Sequence, residues 1–371
     1  MKRALVHDWY YVNGGAEKVV HSINNVWNDL AHFSLIDFLN NEDREFILGG
    51  KTVKTSFIQN LPTAKSNHRK FLQLFPKAME RLDLKEYDLV LSSSASIAKG
   101  VLTNQNQLHI CYCHSPMRYA WDFYHQYLED SNLNTGIRGM YAKWILNKIR
   151  RWDYNNNKSV DFFIANSKYI QKRIKKNYNR NSKVIYPPVD ISKFKLKVKK
   201  EDFFFTASRL VSYKKIEIII RAFNELPNKK LIIAGSGPEE KKLKKIAKDN
   251  IEFLGYIEPS ELKVYMRNAR AFVFAAEEDF GIVPVEAQAC GTPVIGLAKG
   301  GLLETVKHNY TGILFENQTS QSILNALKYF DTQSFEPEII RASVEKFSKK
   351  RFEKEIKDFV ELKSKDFFRT K

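Results

Sequence analysis

Short apolar runs alternate with amphipathic stretches along the whole chain. Arg3–His7, Ala31–Asp37, Asp88–Leu91, Leu108–Cys113, Val160–Ala165 and Lys183–Tyr186 read as short strands of a parallel sheet buried on both faces. Glu45–Leu48 is a candidate third strand. Between these runs the apolar period lengthens. Val19, Val20, Ile23 and Val26 mark one helix, and Phe71, Leu72, Phe75 and Met79, beside Arg69, Lys70, Lys77 and Arg81, mark another over 68–82. Pro187 and Pro188 stop regular structure, and the basic, weakly periodic stretch 190–200 reads as a linker. The pattern then restarts. Strands are predicted at Phe203–Ala207, Lys230–Ala234, Ile251–Leu254, Ala271–Ala275, Pro293–Ile295 and Gly312–Phe315. Helices are predicted at Ile216–Leu226, Glu239 onward, Pro259–Asn268 and Ile282–Ala289, with a terminal amphipathic helix over Ser348–Lys363. Strand–helix alternation in two halves predicts two doubly wound α/β domains, 1–190 and 191–347, facing across a cleft.

The densest chemistry lies at one strand–loop–helix corner. Ala271–Ala275 runs into Glu278-Asp279-Phe280-Gly281-Ile282-Val283-Pro284-Val285-Glu286, and Gly291 follows the helix. Pro284 is tolerated in the first helical turn. Glu286, four residues after Ile282, falls on the same helical face one turn in. A helix start presents unpaired N–H groups and partial positive charge, which suits a phosphate at Gly281, Ile282 and Val283. Gly281 lets a ligand approach the backbone. Glu278 and Glu286 are then available to hydroxyls, so a diphosphate flanked by two sugars, a nucleotide sugar, fits the pattern. Two glutamates at this spacing are by themselves ordinary near a helix start. The full string, with Phe-Gly after the first and Ala-x-Ala-x-Gly-x-Pro-Val after the second, is much more specific.

Other loops after strands carry further candidates. Gly14-Gly15 lies between a strand and a helix, an arrangement that serves a phosphate or an ordinary tight turn. His114 ends a strand, where a histidine is either structural or part of a site. Arg209 and Lys214 follow Phe203–Ala207 and could clamp a diphosphate and stabilise it as it departs.

Charge changes the picture of partners. There are 60 Lys and Arg against 42 Asp and Glu, a net charge of +18, which favours anionic partners. Arg138, Tyr141, Lys143, Trp144, Lys148, Arg150, Arg151 and Trp152 interleave basic and aromatic side chains, and Lys168–Lys183 is densely basic. That composition fits an anionic membrane surface or a solvated helix face. No nucleic-acid motif appears, so no nucleic-acid partner is expected. Cys111, Cys113 and Cys290 form no disulfide framework and are expected to be buried thiols in a reducing compartment. No run approaches the ~18 apolar residues of a membrane span, and the first apolar run is too short for a signal peptide.

The corner string resembles the E-x7-E signature of retaining GT-B glycosyltransferases of sequence family 4, and the resemblance extends over nearly the whole chain. Cys-His-Ser-Pro-Met-Arg-Tyr-Ala-Trp-Asp, 113–122, resembles a motif of bacterial O-antigen and capsule mannosyltransferases. Ser-Arg-Leu-Val-x-x-Lys, 208–214, and Gly235-x-Gly237-Pro238 resemble two further family loops. The resemblance implies a GT-B fold and transfer of a hexose, with mannose from GDP-mannose the expected donor, to a lipid-linked saccharide. It implies that Glu278 holds sugar hydroxyls and Glu286 the ribose. Phe280, Gly281, Ile282 and Val283 line the diphosphate, and Arg209 and Lys214 stabilise the leaving group. His114 orients the sugar, Gly14 and Gly15 lie near the diphosphate, and Gly237 lies near the base. The segment 348–371 is implied to cross back to the N-terminal domain. No Asp-x-Asp stands at a strand end, so no cofactor and no metal are expected. The expected location is cytoplasmic, peripheral on the inner face of the cell membrane. A GT-B-fold sugar-nucleotide epimerase is the enzyme alternative, and a basic membrane- or nucleic-acid-binding module the non-enzyme alternative.

Overall fold

The computed structural model describes residues 1–131 and 133–369. The chain forms two compact units, one of Met1–Pro188 with the segment from Lys350 onward, the other of Val189–Lys349.

The first unit is built on a seven-stranded parallel sheet: β1 (Arg3–His7), β2 (Ala31–Ser34), β3 (Val53–Thr55), β4 (Leu89–Ser94), β5 (Leu108–Cys113), β6 (Phe162–Ala165) and β7 (Ser182–Val184), in the order β3-β2-β1-β4-β5-β6-β7. Every residue of β4 and β5 is buried, as expected of central parallel strands covered by helices on both faces. Chain order reverses between β1 and β4, whose register pairs His7 with Ser93. The helix Lys349–Arg369 sends Phe352, Ile356 and Val360 into the core formed by Leu5, Val20, Leu108 and Ile110.

The second unit has six parallel strands: β8 (Phe203–Ala207), β9 (Lys230–Ala234), β10 (Ile251–Gly255), β11 (Ala271–Phe274), β12 (Val294–Leu297) and β13 (Gly312–Phe315), in the order β10-β9-β8-β11-β12-β13. Its reversal lies between β8 and β11. One core runs through Phe204, Ile220, Phe223, Ile233, Val273, Ile295 and Leu327.

Several local expectations change. Glu45–Leu48 is not a strand but the end of the helix Asn41–Leu48. Asn40 caps that helix by accepting the Asp43 amide at 2.7 Å, and Gly49 closes it in the left-handed region at φ 60°. Residues 68–82 are not one helix. The 3-10 segment His68–Leu74 breaks at Phe71, and Phe75–Glu80 starts anew with Pro76 in its first turn. The stretch 190–200 is bound to the second unit. Lys200 Nζ donates to the carbonyls of Arg267 and Cys290 and to Thr292 Oγ1, and Arg341 donates to the carbonyls of Phe194 and Ala289. Cys111, Cys113 and Cys290 are buried thiols.

Two core histidines predict an acid limit to stability. His32 on β2 and His109 on β5 are fully enclosed. Burial pulls their pKa values down to about 3 and about 4. Both stay neutral in the fold and take a proton once unfolded, so their contribution is intact above pH ~6.5 and is lost as pH falls toward the folded values. Each should remove about 1.4 kcal/mol per pH unit below that point. Urea midpoints should therefore fall between pH 6.5 and 4.5, and His32→Gln with His109→Gln should flatten the slope. Equal slopes in the two proteins would contradict this account.

Candidate active site

In the second unit the candidate residues gather at the carboxyl ends of β8 and β11, the point of reversed chain order where open α/β sheets place ligands. β8 leads into 208–215, and β11 leads into 275–281. Lys214 Nζ meets Glu278 Oε1 at 2.5 Å, each side chain less than a fifth exposed. Lys214 also lies 5.7 Å above the Phe274 ring. Arg209 is exposed and forms no ion pair among the described residues. The structure thus joins two of the predicted catalytic groups directly and leaves a third, the Arg209 guanidinium, exposed on the loop that carries Lys214.

The helix Ile282–Ala289 begins where the string predicts. Gly281 is its N-cap in the left-handed region at φ 84°, and a Cβ there would stand 3.0 Å from Leu302 Cδ1. No side chain caps this end, so the first helical amides of Ile282 and Val283 have no intrahelical acceptor. Pro284 in that turn has no amide to satisfy. Glu286, one turn in, is buried at 7% exposure. Phe280 is buried and packs edge-on against Phe347 at 5.2 Å, which fixes the loop just before the helix.

Glycines outside this string set the loop's position. Gly301 donates to the Glu278 carbonyl at 2.8 Å, and a Cβ on Gly300 would stand 2.3 Å from the same oxygen. Gly300 and Gly301 therefore form a floor under 278–280. Gly235 and Gly237 do the same for 208–210, where Cβ atoms would fall 1.9 Å from the Ser208 carbonyl and 2.3 Å from the Leu210 carbonyl. Close backbone approach to the Arg209 loop accounts for Gly237 without any ligand.

In the first unit the ends of β1, β4 and β5 carry a chain of polar contacts. His114 Nε2 lies 2.8 Å from Ser93 Oγ. Ser93 Oγ and its carbonyl each lie 3.1 Å from His7 Nδ1. His7 Nε2 lies 3.4 Å from Glu17 Oε1, and Glu17 Oε2 accepts the Gly14 amide at 3.0 Å. Gly14 is thus the N-cap of the helix Gly15–Val26, its amide held by the glutamate three residues on. Gly15 opens the helix and is exposed. Asp8 is buried beside them and accepts the amides of Ala95, Ile97 and Ala98 at 2.6 to 2.7 Å. Burial pushes its carboxyl up. Burial, then the positive field of His7, pulls His114 down to about 3.

His7, Asp8, Glu17 and Ser93 were absent from the sequence-derived site. His7 reads as part of a buried strand, and its pairing with Ser93 spans 86 residues. The available signal was polar residues, Asp8 and Ser92–Ser94, at the ends of otherwise apolar runs. Three side chains of the motif 113–122 hold the fold together. Tyr119 bonds Ser96 at 2.7 Å, Trp121 donates to Asp153 at 2.7 Å, and Asp122 accepts from Arg173 at 2.7 Å.

Comparison with known proteins adds the following. Residues 13–193 match the family model described as Glycosyltransferase Family 4, and residues 189–354 match that described as Glycosyl transferases group 1. An uncharacterized glycosyltransferase of Methanocaldococcus jannaschii is 36% identical over 132 residues, 33% of this chain and 34% of that protein. A GDP-mannose-dependent monoacylated alpha-(1-6)-phosphatidylinositol monomannoside mannosyltransferase of Corynebacterium glutamicum is 37% identical over 124 residues, 29% of this chain and 32% of that protein. Such alignments span about a third to a half of the curated relatives' own length. Among solved structures, Anabaena HepE in complex with UDP and glucose superposes with TM-score 0.70 at 20% identity, over 96% of this chain and 99% of that one. Sucrose-phosphate synthase from Thermosynechococcus elongatus superposes with TM-score 0.69 at 15% identity over both full chains. The fold is GT-B.

Proposed function

We propose that this chain, which carries a glycosyltransferase family 4 domain and a glycosyltransferase group 1 domain, is a retaining hexosyltransferase that uses a nucleotide sugar. The observation that carries the reading is the second unit's corner, where Lys214 grips Glu278 beside an uncapped helix start. The amides of Ile282 and Val283 suit the donor diphosphate, and Glu286 the ribose hydroxyls. Glu278 is assigned the sugar hydroxyls. Arg209 and Lys214 take up charge on the departing nucleoside diphosphate, so transfer should survive EDTA without a divalent cation. In the first unit, His114 is the candidate for a sugar hydroxyl and Gly14-Gly15 for a phosphate oxygen.

Mannose from GDP-mannose is the donor we favour. The motif around His114 supports it, as do the relatives from Corynebacterium glutamicum and Mycobacterium tuberculosis, whose names specify GDP-mannose. A lipid-linked saccharide in bacterial surface polysaccharide synthesis is the proposed acceptor. An anionic membrane surface on the cytoplasmic side is the proposed location, and the exposed basic and aromatic face of the helix Gly136–Asn156 supports it.

A panel of nucleotide sugars, with and without EDTA, tests the activity, and the anomeric configuration of the product tests retention. Interconversion of the donor without any acceptor would indicate the epimerase instead. Calorimetry with GDP, UDP and ADP reads the base. Glu286→Gln should weaken the preferred nucleoside diphosphate about tenfold to a hundredfold, the effect of one charge-assisted hydrogen bond. Unchanged affinity would remove Glu286 from the ribose.

A further inference from the structure

The polar chain in the first unit couples its proton positions, because each contact constrains the next, and the contact of His7 with the Ser93 carbonyl favours one arrangement. A carbonyl oxygen only accepts, so the His7 nitrogen facing the Ser93 carbonyl at 3.1 Å, Nδ1, carries a proton. His7 Nε2 faces the Glu17 carboxylate at 3.4 Å, again an acceptor. With both acceptors satisfied, both ring nitrogens donate and the ring is an imidazolium. Ser93 Oγ, also 3.1 Å from the protonated Nδ1, directs its own hydrogen to His114 Nε2 at 2.8 Å. In that arrangement His114 Nε2 is bare and its proton sits on Nδ1, which meets no hydrogen-bond partner among the described residues.

We propose that His7 is a positioning residue, held as a buried imidazolium by Glu17, which acts through Ser93 to lock His114 as the neutral Nδ1–H tautomer and so presents a hydrogen-bond donor to ligand. The proposal deepens the reading of His114 as a sugar contact and rests on it. Around His7 stand Glu17 from the glycine-turn helix, Asp8 at the end of its own strand, Tyr10 with ring centroids 4.9 Å apart, His32 on β2 and His114 after β5. Burial lowers the His7 pKa, but the Glu17 hydrogen bond and charge, with Asp8, carry it above the ordinary value. The positive ring in turn helps keep His114 neutral.

Glu17 also holds the Gly14 amide, so one carboxylate serves both the glycine turn and the tautomer. A purely structural role for Glu17 would require only the amide contact.

The test is ring-15N NMR of the full chain labelled at histidine, with His7→Gln and His114→Gln to assign the signals. At pH 7, His7 should show two protonated nitrogens and His114 one, at Nδ1. Glu17→Gln, which keeps an oxygen for the Gly14 amide, should return His7 to a single proton. Ser93→Ala should release His114 into mixed tautomers. With the preferred donor, Ser93→Ala should lower kcat about fivefold to tenfold, the loss of one neutral hydrogen bond, with nucleoside diphosphate affinity unchanged. A singly protonated His7 in the unsubstituted protein, or a His114 proton on Nε2, overturns the proposal. Absence of transfer from every nucleotide sugar would overturn the proposed activity, while the NMR result would still decide the tautomer.

Discussion

Lys214→Ala is expected to lower turnover about a hundredfold, on the scale of removing one preorganised charge from a developing anion. Its ammonium is already aimed. It sits 2.5 Å from Glu278 Oε1 and close to the Phe274 ring, beyond the carboxyl ends of the neighbouring strands β8 and β11. Such a group needs little reorganisation when charge appears on a leaving phosphate, which makes it more effective than a mobile surface lysine. The substitution also deprives a largely buried carboxylate of a partner, so some stability should be lost with it. Two controls separate these effects. Arg209 is exposed on the same loop without an ion pair among the described residues, so Arg209→Ala should slow turnover without a comparable drop in melting temperature. Lys242 is exposed and pairs with Glu217 at 2.7 Å; Lys242→Ala should change neither quantity. Near-normal turnover of Lys214→Ala would leave the lysine a structural counter-ion of Glu278.

The second unit was more legible in the sequence than the first, for a physical reason. Its candidate residues are grouped into two loops, and the helix Ile282–Ala289 is punctuated on both sides by Gly281 and Gly291. Local signals of that kind survive in a single sequence. The contact of Lys214 with Glu278 spans 64 residues, yet both ends were recognisable from their own loops. In the first unit His114 is marked by the motif 113–122, but its relation to His7 and Ser93 exists only through strand pairing, and neither of those two stands in a distinctive local string. Glu45–Leu48 was misread for a related reason. Four residues cannot display a helical period, and the outcome rested on Asn40 and Gly49 just outside the run. The motif 113–122 was recognisable, but its anchoring side chains were not separable from the rest. Arg173 donates to its Asp122 and Asp153 accepts from its Trp121, which ties two helices to the end of β5, and side chains that do fold work are indistinguishable in sequence from those that meet ligand.

The charge was legible in amount but not in place. Arg173 is buried against Asp122 and Ser115, and Lys99 is buried in an ion pair with Asp153. Lys200 is turned into carbonyls, and burial pulls its pKa down to about 8. Trp152 packs over Gly100 and donates to Glu80. These residues are unavailable to an outside partner, which narrows the candidate surface.

On the helix Gly136–Asn156, what remains outward is a stripe. Ile137, Met140, Tyr141 and Trp144, at the i, i+3, i+4, i+7 spacing of one helical face, are each at least half exposed, Ile137 at 85%. Tyr141 stacks on Trp144 at 6.0 Å, and Lys148 Nζ lies 3.8 Å over the Trp144 ring. Arg138 and Arg151 are exposed on the same helix. No described helix is long and apolar enough to cross a membrane, so the arrangement suits a helix lying in the headgroup layer. Aromatic rings favour that depth, and each nearby basic residue adds about 1 kcal/mol at an anionic surface. The protein should therefore sediment with anionic vesicles at low salt, stay in the supernatant with neutral ones, and be released as salt rises. Ile137→Ser with Trp144→Ser removes two large apolar side chains and should cut partitioning about tenfold to a hundredfold. Arg138→Ser with Lys148→Ser and Arg151→Ser should reduce both the binding and its dependence on salt. Binding that the apolar pair leaves untouched would move the contact to the exposed lysines of the helix Lys168–Tyr178, and no binding at low salt would end the membrane assignment.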